Sequence, residues 1–327
     1  MTDTDLSIPD HVRAAFGLPD AALSPLPADA STRRYARVTH PVYGPCLVLS
    51  DEAGTPHFER FLSIGRHLAR LGFSTPTIHA TDETAGFALV EDFGHSTYTR
   101  LLAEGVDEAE LYALAIDVLV ALHKAPTATE ITLAPYDLAF LLQEVAILPD
   151  WFAPATGRAL TWTEIARHDS LWREALASLG ARRETLVIRD FHVDNLMLLE
   201  GRKGAAACGL LDFQGGLIGA QVYDLASLLQ DARRDVPEAL EQAMLTRYLD
   251  ARDIADRTAF LRDYSVIAAQ RHAKIVGLFH RLNTRDGKSV YLAHVPRVLR
   301  LLARALSTAG LTDIEAFYDE TMPQWRV

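Results

Sequence analysis

Two kinds of apolar pattern divide the chain. Residues 24–50 read as extended, with the β-rich runs "RRYARVTH" and "PCLVLSD" flanking a turn at residues 40–45 that contains Pro41 and Gly44. A short helix is expected before them, at about residues 9–16. In "TPHFERFLSIGRHLARLG" the pattern changes: Phe58, Phe61, Leu62, Leu68 and Leu71 approximate helical spacing. Thr55 stands as the N-cap, Pro56 in the first turn and Gly72 just past the last. "GFALVEDFG" then reads as a strand.

From Asp107 the periodicity is mostly helical. "DEAELYALAIDVLVALHKAP" places Leu111, Leu114, Ala115, Val118, Leu119 and Leu122 on one face, with Pro126 just beyond. Further helices are expected near residues 136–148, 161–180, 223–234, 237–250, 256–283 and 290–308. The exception is 185–213, where "TLVI", "NLMLL" and "CGLLDF" read as strands and "EGRKG" as a turn. The pattern predicts an α+β chain: a β-rich N-lobe over residues 1–92 and a mainly helical C-lobe over 93–327, with the boundary near 91–94. The sequence shows no internal repeat or low-complexity tract.

With 327 residues, 49% hydrophobic and 23% charged, the chain has enough apolar content for a sizeable core. A net charge of −11 argues against a general nucleic-acid binder, although a local basic pocket is compatible with it. Cys46 and Cys208 lack metal-type spacing and read as reduced thiols. "MTDTDLSIPD" has no signal-peptide character, and no apolar run approaches the ~20 residues of a membrane span. A soluble, cytoplasmic protein with neither nucleic-acid nor membrane partners is therefore expected.

The 188–214 region interrupts its strands with unusual polarity. In "VIRDFHVDNLMLLE", Asp190 and Asn195 stand in D-x-x-x-x-N spacing, and "LLDF" puts Asp212 at a strand end. Phosphoryl transfer needs these residue types: a carboxylate to take the hydroxyl proton and oxygen ligands for Mg²⁺ on the phosphates. Each residue alone reads as turn-capping Asx chemistry. As a set in this strand–loop–strand setting they read as catalytic. His192 is expected to orient the loop, Asp194 to be solvated, and Asp224 to cap a helix or brace the loop. His123 is expected to be a packing and dipole residue at a helix end.

"IRDFHVDNLML" followed by "LLDF" resembles the catalytic and metal loops of the aminoglycoside phosphotransferase/choline kinase family, relatives of protein kinases. The resemblance implies a two-lobed, protein-kinase-like fold that uses ATP and Mg²⁺. Its N-lobe would bind the nucleotide and its C-lobe would carry the catalytic loop and acceptor site. Asp190 matches the catalytic base, Asn195 and Asp212 the metal ligands, and Glu91 to Phe93 the adenine-binding hinge. Ile188 stands where the family usually has a histidine, Arg189 echoes the protein-kinase arginine, and Gln214 replaces the glycine of D-F-G. "ADASTRRYARV" and "QRHAKIVGLFHRLNTRDGKSVYL" extend the likeness toward the anomeric N-acetylmuramate/N-acetylglucosamine kinases of bacterial cell-wall recycling.

One departure concerns the phosphates. "CLVLSD" lacks the strand lysine of kinases, and "ADASTRRY" stands where a glycine-rich loop would be. Backbone N–H groups at Ser31 and Thr32 are candidates to cradle phosphate, and Arg33 or Arg34 to supply the missing positive charge. Without that lysine, the helix residue Glu59 reads as readily as a surface residue as a lysine partner.

Arg271, Lys274, Arg281, Arg285 and Lys288 follow steps of three, seven, four and three, near one helical face, opposed only by Asp286. The stripe is either a solvated face or, through Arg271, Lys274 and Arg281, the border of an acceptor pocket. The second reading favours a neutral or anionic sugar over a polycationic aminoglycoside. The expected reaction is transfer of the ATP γ-phosphoryl group to a hydroxyl, the anomeric one of an N-acetylated amino sugar. Alternatives are an aminoglycoside, choline or thiamine kinase and, from another class, a nucleotide-binding pseudokinase regulator.

Overall fold

The computed structural model describes residues 6–26, 33–51 and 55–326. The chain begins with α1 (Asp10–Ala15), β1 (Ser24–Pro25), β2 (Arg34–His40), β3 (Gly44–Ser50), α2 (Pro56–Arg70), β4 (Ile78–Asp82), β5 (Phe87–Glu91) and α3 (Tyr98–Ala103). There follow α4 (Glu108–Lys124), α5 (Leu138–Val145), a π-helical turn at Leu148–Phe152, α6 (Ala153–Ala155) and α7 (Trp162–Gly180). The polar region carries β6 (Thr185–Val187), β7 (Leu196–Leu198), β8 (Cys208–Leu210) and β9 (Leu217–Gly219). The chain closes with α8 (Val222–Leu229), α9 (Glu238–Ala251), α10 (Arg257–Asp286), α11 (Val295–Ala309) and α12 (Thr312–Thr321).

These elements form two compact units, residues 1–118 with 193–216 and residues 119–192 with 217–327. This packing division differs from the 92/93 functional boundary expected from the sequence: the chain passes from one unit to the other within the polar segment itself.

In the first unit an antiparallel sheet has the order β1-β2-β3-β5-β4. β2 and β3 pair from Arg34↔Ser50 to His40↔Gly44, so the expected hairpin forms. Val12 of α1 and Phe16, just past its end, bury with Ala36, Val38, Cys46 and Val48 of that hairpin. Thr55 caps α2 by accepting the Phe58 N–H, and Gly72 adopts φ 89° just beyond its end. α2 in turn stacks Phe61 on Phe213, with ring centroids 5.4 Å apart. β4 escaped the sequence pattern because it has no buried face: all five residues are half-buried, and its pairing is broken by a bulge.

The second unit is helical around the long α10. α7 begins with a full capping box, Thr161 and Glu164 each accepting the other's backbone N–H. The helix expected at 290–308 starts only at Val295, where Pro296 suits a first turn, and residues 289–294 form a 3-10 turn instead. The helix expected to reach residue 234 stops at Leu229. α3, α12 and β9 were not expected. Nor was an apolar stretch of membrane-spanning length, yet Leu138–Ala155 reaches it by composition. Its Leu141, Leu142, Val145, Leu148 and Phe152 are buried within the protein, packed toward α10.

That packing depends on Gly277 of α10, where a Cβ would lie 2.3 Å from the Ile147 carbonyl oxygen and 2.7 Å from the Leu148 nitrogen. Alanine would gain about 1 kcal/mol of helix propensity, but the obstacle is backbone and has no rotamer to yield. Gly277→Ala is expected to destabilise the protein by about 2 kcal/mol net, overpacking exceeding propensity. A lowered urea midpoint at unchanged slope checks it; a raised midpoint refutes the contact.

Candidate active site

In the second unit, β6 pairs with β9 (Thr185↔Gly219 to Val187↔Leu217) and delivers the chain to Ile188, Arg189 and Asp190. Arg189 has φ 74°, a left-handed conformation that a long side chain enters at a cost of about 1–3 kcal/mol. Asp224, buried in the first turn of α8, holds it there. Its two carboxylate oxygens accept the Ile188 N–H at 2.7 Å and the Arg189 N–H at 2.8 Å. Such charge-assisted bonds are roughly twice as strong as neutral ones and offset the strain. Ser227 Oγ donates to the Arg189 carbonyl at 3.2 Å and accepts from Arg271 Nη2 at 2.9 Å. Burial pushes the Asp224 carboxyl up to about 7, against the pull of the two N–H donors.

The Arg189 side chain is fixed as firmly as its backbone. It pairs with Glu144 and lies over the Tyr136 and Phe140 rings, 5.6 and 5.3 Å from their centroids. Glu144 also accepts from Lys274 Nζ at 2.7 Å and from the Tyr136 hydroxyl. Burial raises the Glu144 carboxyl, but Lys274 and then Arg189 overcome this and hold it at about 2. Glu144 is therefore an anion that ties α5 to α10 and to the loop. Its sequence signal was present but unused: one carboxylate inside the apolar run "LLQEVAIL".

These groups surround a cavity of about 410 Å³. Asp190 lines it together with Arg189, Arg271, Lys274 and Arg281 from the sequence candidates, and with Arg233 and Glu144, which the sequence reading missed. The basic stripe divides accordingly. Arg271 is buried and Lys274, Arg281 and Lys288 are half-buried, Lys288 lying past the end of α10, whereas Arg285 is exposed and pairs with its neighbour Asp286. His192 is buried with Nε2 3.3 Å from Arg233 Nη1, and burial lowers its pKa. His123 is likewise buried against the Tyr248 hydroxyl at 2.7 Å, with its pKa lowered to about 3 by burial.

In the first unit β7 and β8 pair from Leu196↔Leu210 to Leu198↔Cys208. The Leu211 N–H donates to the Asn195 carbonyl at 2.9 Å, so the same hairpin end carries Asn195 and Asp212. Asp212 adopts φ 54°, a region that Asp tolerates better than most residues. Its Oδ1 accepts from Arg33 Nη2 and from Gln214 Nε2, both at 2.6 Å. Arg33 is buried and also reaches Gln214 Oε1 and the Tyr35 hydroxyl, each at 3.1 Å. Of the two arginines proposed to replace the strand lysine, Arg33 is therefore the one directed at Asp212, while Arg34 is exposed on β2. Ser31 and Thr32 lie outside the described residues.

Glu91 accepts from the Thr77 backbone N–H at 3.2 Å, from the Thr77 hydroxyl at 2.8 Å and from Arg202. Arg202 lies 5.2 Å from the centroid of the Phe93 ring, and that ring closes on Gly209, where a Cβ would meet it at 2.8 Å. Asp194, expected to be solvated, is half-buried and accepts the Thr99 hydroxyl in an exposed contact that ties the 193–195 turn to α3. Glu59 is exposed on α2.

The donor set bears on the metal. Among the described residues no group of three or more His, Cys, Asp or Glu side chains is placed to hold an ion. One carboxamide and one carboxylate, with Asp212 43% exposed, suit a hard cation that arrives with phosphate oxygens and water.

Comparison with known proteins places this geometry. The model of a family described as "Phosphotransferase enzyme family" matches residues 22–264. An N-acetylmuramate/N-acetylglucosamine kinase of Caulobacter vibrioides is 35% identical over 312 residues, 93% of this chain and 84% of the relative. An ADP-bound aminoglycoside phosphotransferase superposes with a TM-score of 0.59 at 16% identity, over 90% of this chain and 97% of that one. A choline/ethanolamine kinase family protein from Mesorhizobium loti gives 0.62 at 14%, over 94% and 98%. The two solved structures share a protein-kinase-like fold with this chain.

Asp224→Asn leaves one acceptor oxygen facing two N–H donors. Turnover is expected to fall about 10²-fold, as for other misplaced reacting groups. In the unsubstituted protein, protonation of Asp224 weakens the same acceptor, so kcat should fall as pH drops through about 7. Stability runs the other way. A carboxyl with its folded pKa raised contributes most below the ordinary carboxylate range and loses that contribution as pH rises through about 7. Parallel kcat–pH and melting–pH profiles check both signs, and Asp224→Asn should flatten each.

Proposed function

Because this chain belongs to the phosphotransferase enzyme family, we propose that it transfers the terminal phosphoryl group of ATP, with Mg²⁺, to the anomeric hydroxyl of an N-acetylated amino sugar. The family and the kinases among its relatives make it a small-molecule kinase with a hydroxyl acceptor. The sugar reading rests on one observation above the others: Asp190 lines a cavity with five basic side chains and only one other carboxylate. A polycationic aminoglycoside meets repulsion in such a cavity, whereas a neutral or anionic sugar does not. The N-acetylmuramate/N-acetylglucosamine kinase that it resembles at 35% identity agrees with that charge argument.

In this reading Asp190 takes the acceptor's proton as the hydroxyl oxygen bonds to phosphorus, and the bridging oxygen leaves with the bonding pair on the nucleotide diphosphate. Asn195 and Asp212 would hold the metal, which would supply positive charge to offset that of the phosphates. Arg33 replaces the strand lysine and moves its charge from Asp212 to phosphate when nucleotide binds. Glu91 and Phe93 border the adenine. Residues 1–92 then serve the nucleotide and residues 93–327 the acceptor. Positioning and charge neutralisation do most of the catalysis, since the phosphoryl transition state asks for little covalent help.

A panel of amino sugars, aminoglycosides, choline and thiamine, offered with Mg–ATP, tests the reaction. Phosphorus–proton NMR should place phosphate on the anomeric carbon of an N-acetylated sugar. Turnover confined to the cationic amines would reject the sugar reading. Asp190→Ala should lose about 10³-fold or more in kcat while Mg–ATP titrates as before; near-normal turnover removes Asp190 from its role. Arg33→Met should weaken Mg–ATP binding about tenfold, the scale of one charged hydrogen bond. Unchanged affinity would leave the missing lysine without a substitute in Arg33.

A further inference from the structure

The basic groups around the acceptor cavity are not equivalent. Arg189 and Lys274 both spend their charge on Glu144. Lys274 also lies 3.4 Å from the Tyr223 hydroxyl. Arg233 approaches His192. Arg281 is half-buried, and its Nε has no hydrogen-bond partner among the described residues. Arg271 differs in being buried with an unfilled terminal nitrogen of its guanidinium fork. It is 6% exposed, its Nη2 donates to Ser227 Oγ, and its Nη1 is buried with no hydrogen-bond partner among the described residues. The carboxylate whose field it feels, Asp224, already has both oxygens engaged by the Ile188 and Arg189 N–H groups. A buried guanidinium with an unfilled donor is costly. It lines the same cavity as Asp190.

We propose that Arg271 is the specificity residue of the acceptor site, binding a carboxylate carried by the acceptor. The planar guanidinium fork matches a carboxylate in geometry and charge, and a neutral hydroxyl supplies neither. Asp190 and Arg271 line one cavity of about 410 Å³, large enough for a monosaccharide whose reacting hydroxyl meets the first and whose acidic substituent meets the second. The substrate class is then an N-acetylated amino sugar bearing a carboxylate, as N-acetylmuramate does through its lactyl ether and N-acetylglucosamine does not. This rests on the sugar-kinase reading above. It assigns to Arg271 a task that Lys274, spent on Glu144, does not share.

Three acceptors separate the possibilities: N-acetylmuramate, its carboxamide and N-acetylglucosamine. With the unsubstituted enzyme, kcat/KM should be highest for the carboxylate, the difference lying in KM. In Arg271→Met the loss on N-acetylmuramate should be roughly 30-fold or more, the scale of removing one partner of a buried charge pair. It should exceed the loss on N-acetylglucosamine by at least about tenfold. Ser227→Ala removes the hydrogen bond that Arg271 shares with the loop but not its charge, so it should depress both sugars alike. Equal losses on both sugars in Arg271→Met would assign the residue to bracing the loop or to the phosphoryl group, and would overturn the proposal. Indifference of the unsubstituted enzyme to carboxylate against carboxamide would overturn it without any variant. Phosphorylation of neutral amino sugars alone would sink this inference while sparing the sugar-kinase reading; phosphorylation of no sugar would sink both.

Discussion

The active-site loop depends on one carboxylate. Asp224 leaves water for the first turn of α8, where nothing offsets its charge as well as the two backbone N–H groups it receives. Those donors belong to Ile188 and Arg189, the two residues before Asp190. Holding them fixes an otherwise unfavourable φ at Arg189 and so sets the direction in which the chain presents Asp190. Ser227, one turn further along α8, bonds the Arg189 carbonyl, so one short helix binds the loop through both N–H and C=O. A buried anion is expensive, and its worth here lies in the backbone conformation it selects.

The other end of Arg189 extends the same logic. Its guanidinium meets Glu144, and Glu144 meets Lys274, so α5, α10 and the loop are joined through one buried anion. Both cations hold that carboxyl down at about 2 despite its burial, so it stays charged throughout the physiological range. In the first unit a second ionic cluster has the opposite composition: one buried cation, Arg33, contacts Asp212, Gln214 and Tyr35. Each unit thus places one buried charge against a polar group of the segment 188–214.

Much of this was legible beforehand because it is local. Thr55, Pro56 and Gly72 delimit α2 through capping and backbone freedom within one turn, and the α2 helix formed where they placed it. The β2–β3 hairpin formed around Pro41 and Gly44 for the same reason. β4 was missed because it has no buried face to write an alternation into the sequence. The partner of Asp194 was not legible because Thr99 is ninety-five residues away. Arg271, Lys274, Arg281, Arg285 and Lys288 formed a single stripe on paper. On the folded chain Arg271 is buried, Lys274 and Arg281 are half-buried and Arg285 is exposed, while Lys288 falls beyond the end of α10, so the stripe is divided.

The sequence by itself determined which chemistry is available: an Asp, an Asn and a second Asp at spacings suited to phosphoryl transfer, and a strand without its lysine. Periodicity and caps likewise determined most of the helices, because those forces act within a few residues. Only the tertiary structure decided which charges are spent and which remain. Glu144 neutralises Lys274 and Arg189, Asp224 is committed to backbone, Arg33 faces Asp212, and Arg271 keeps a donor with no partner among the described residues. A side chain's charge is written in its residue type, but the groups that neutralise it come from distant parts of the chain, and packing alone brings them within hydrogen-bond reach.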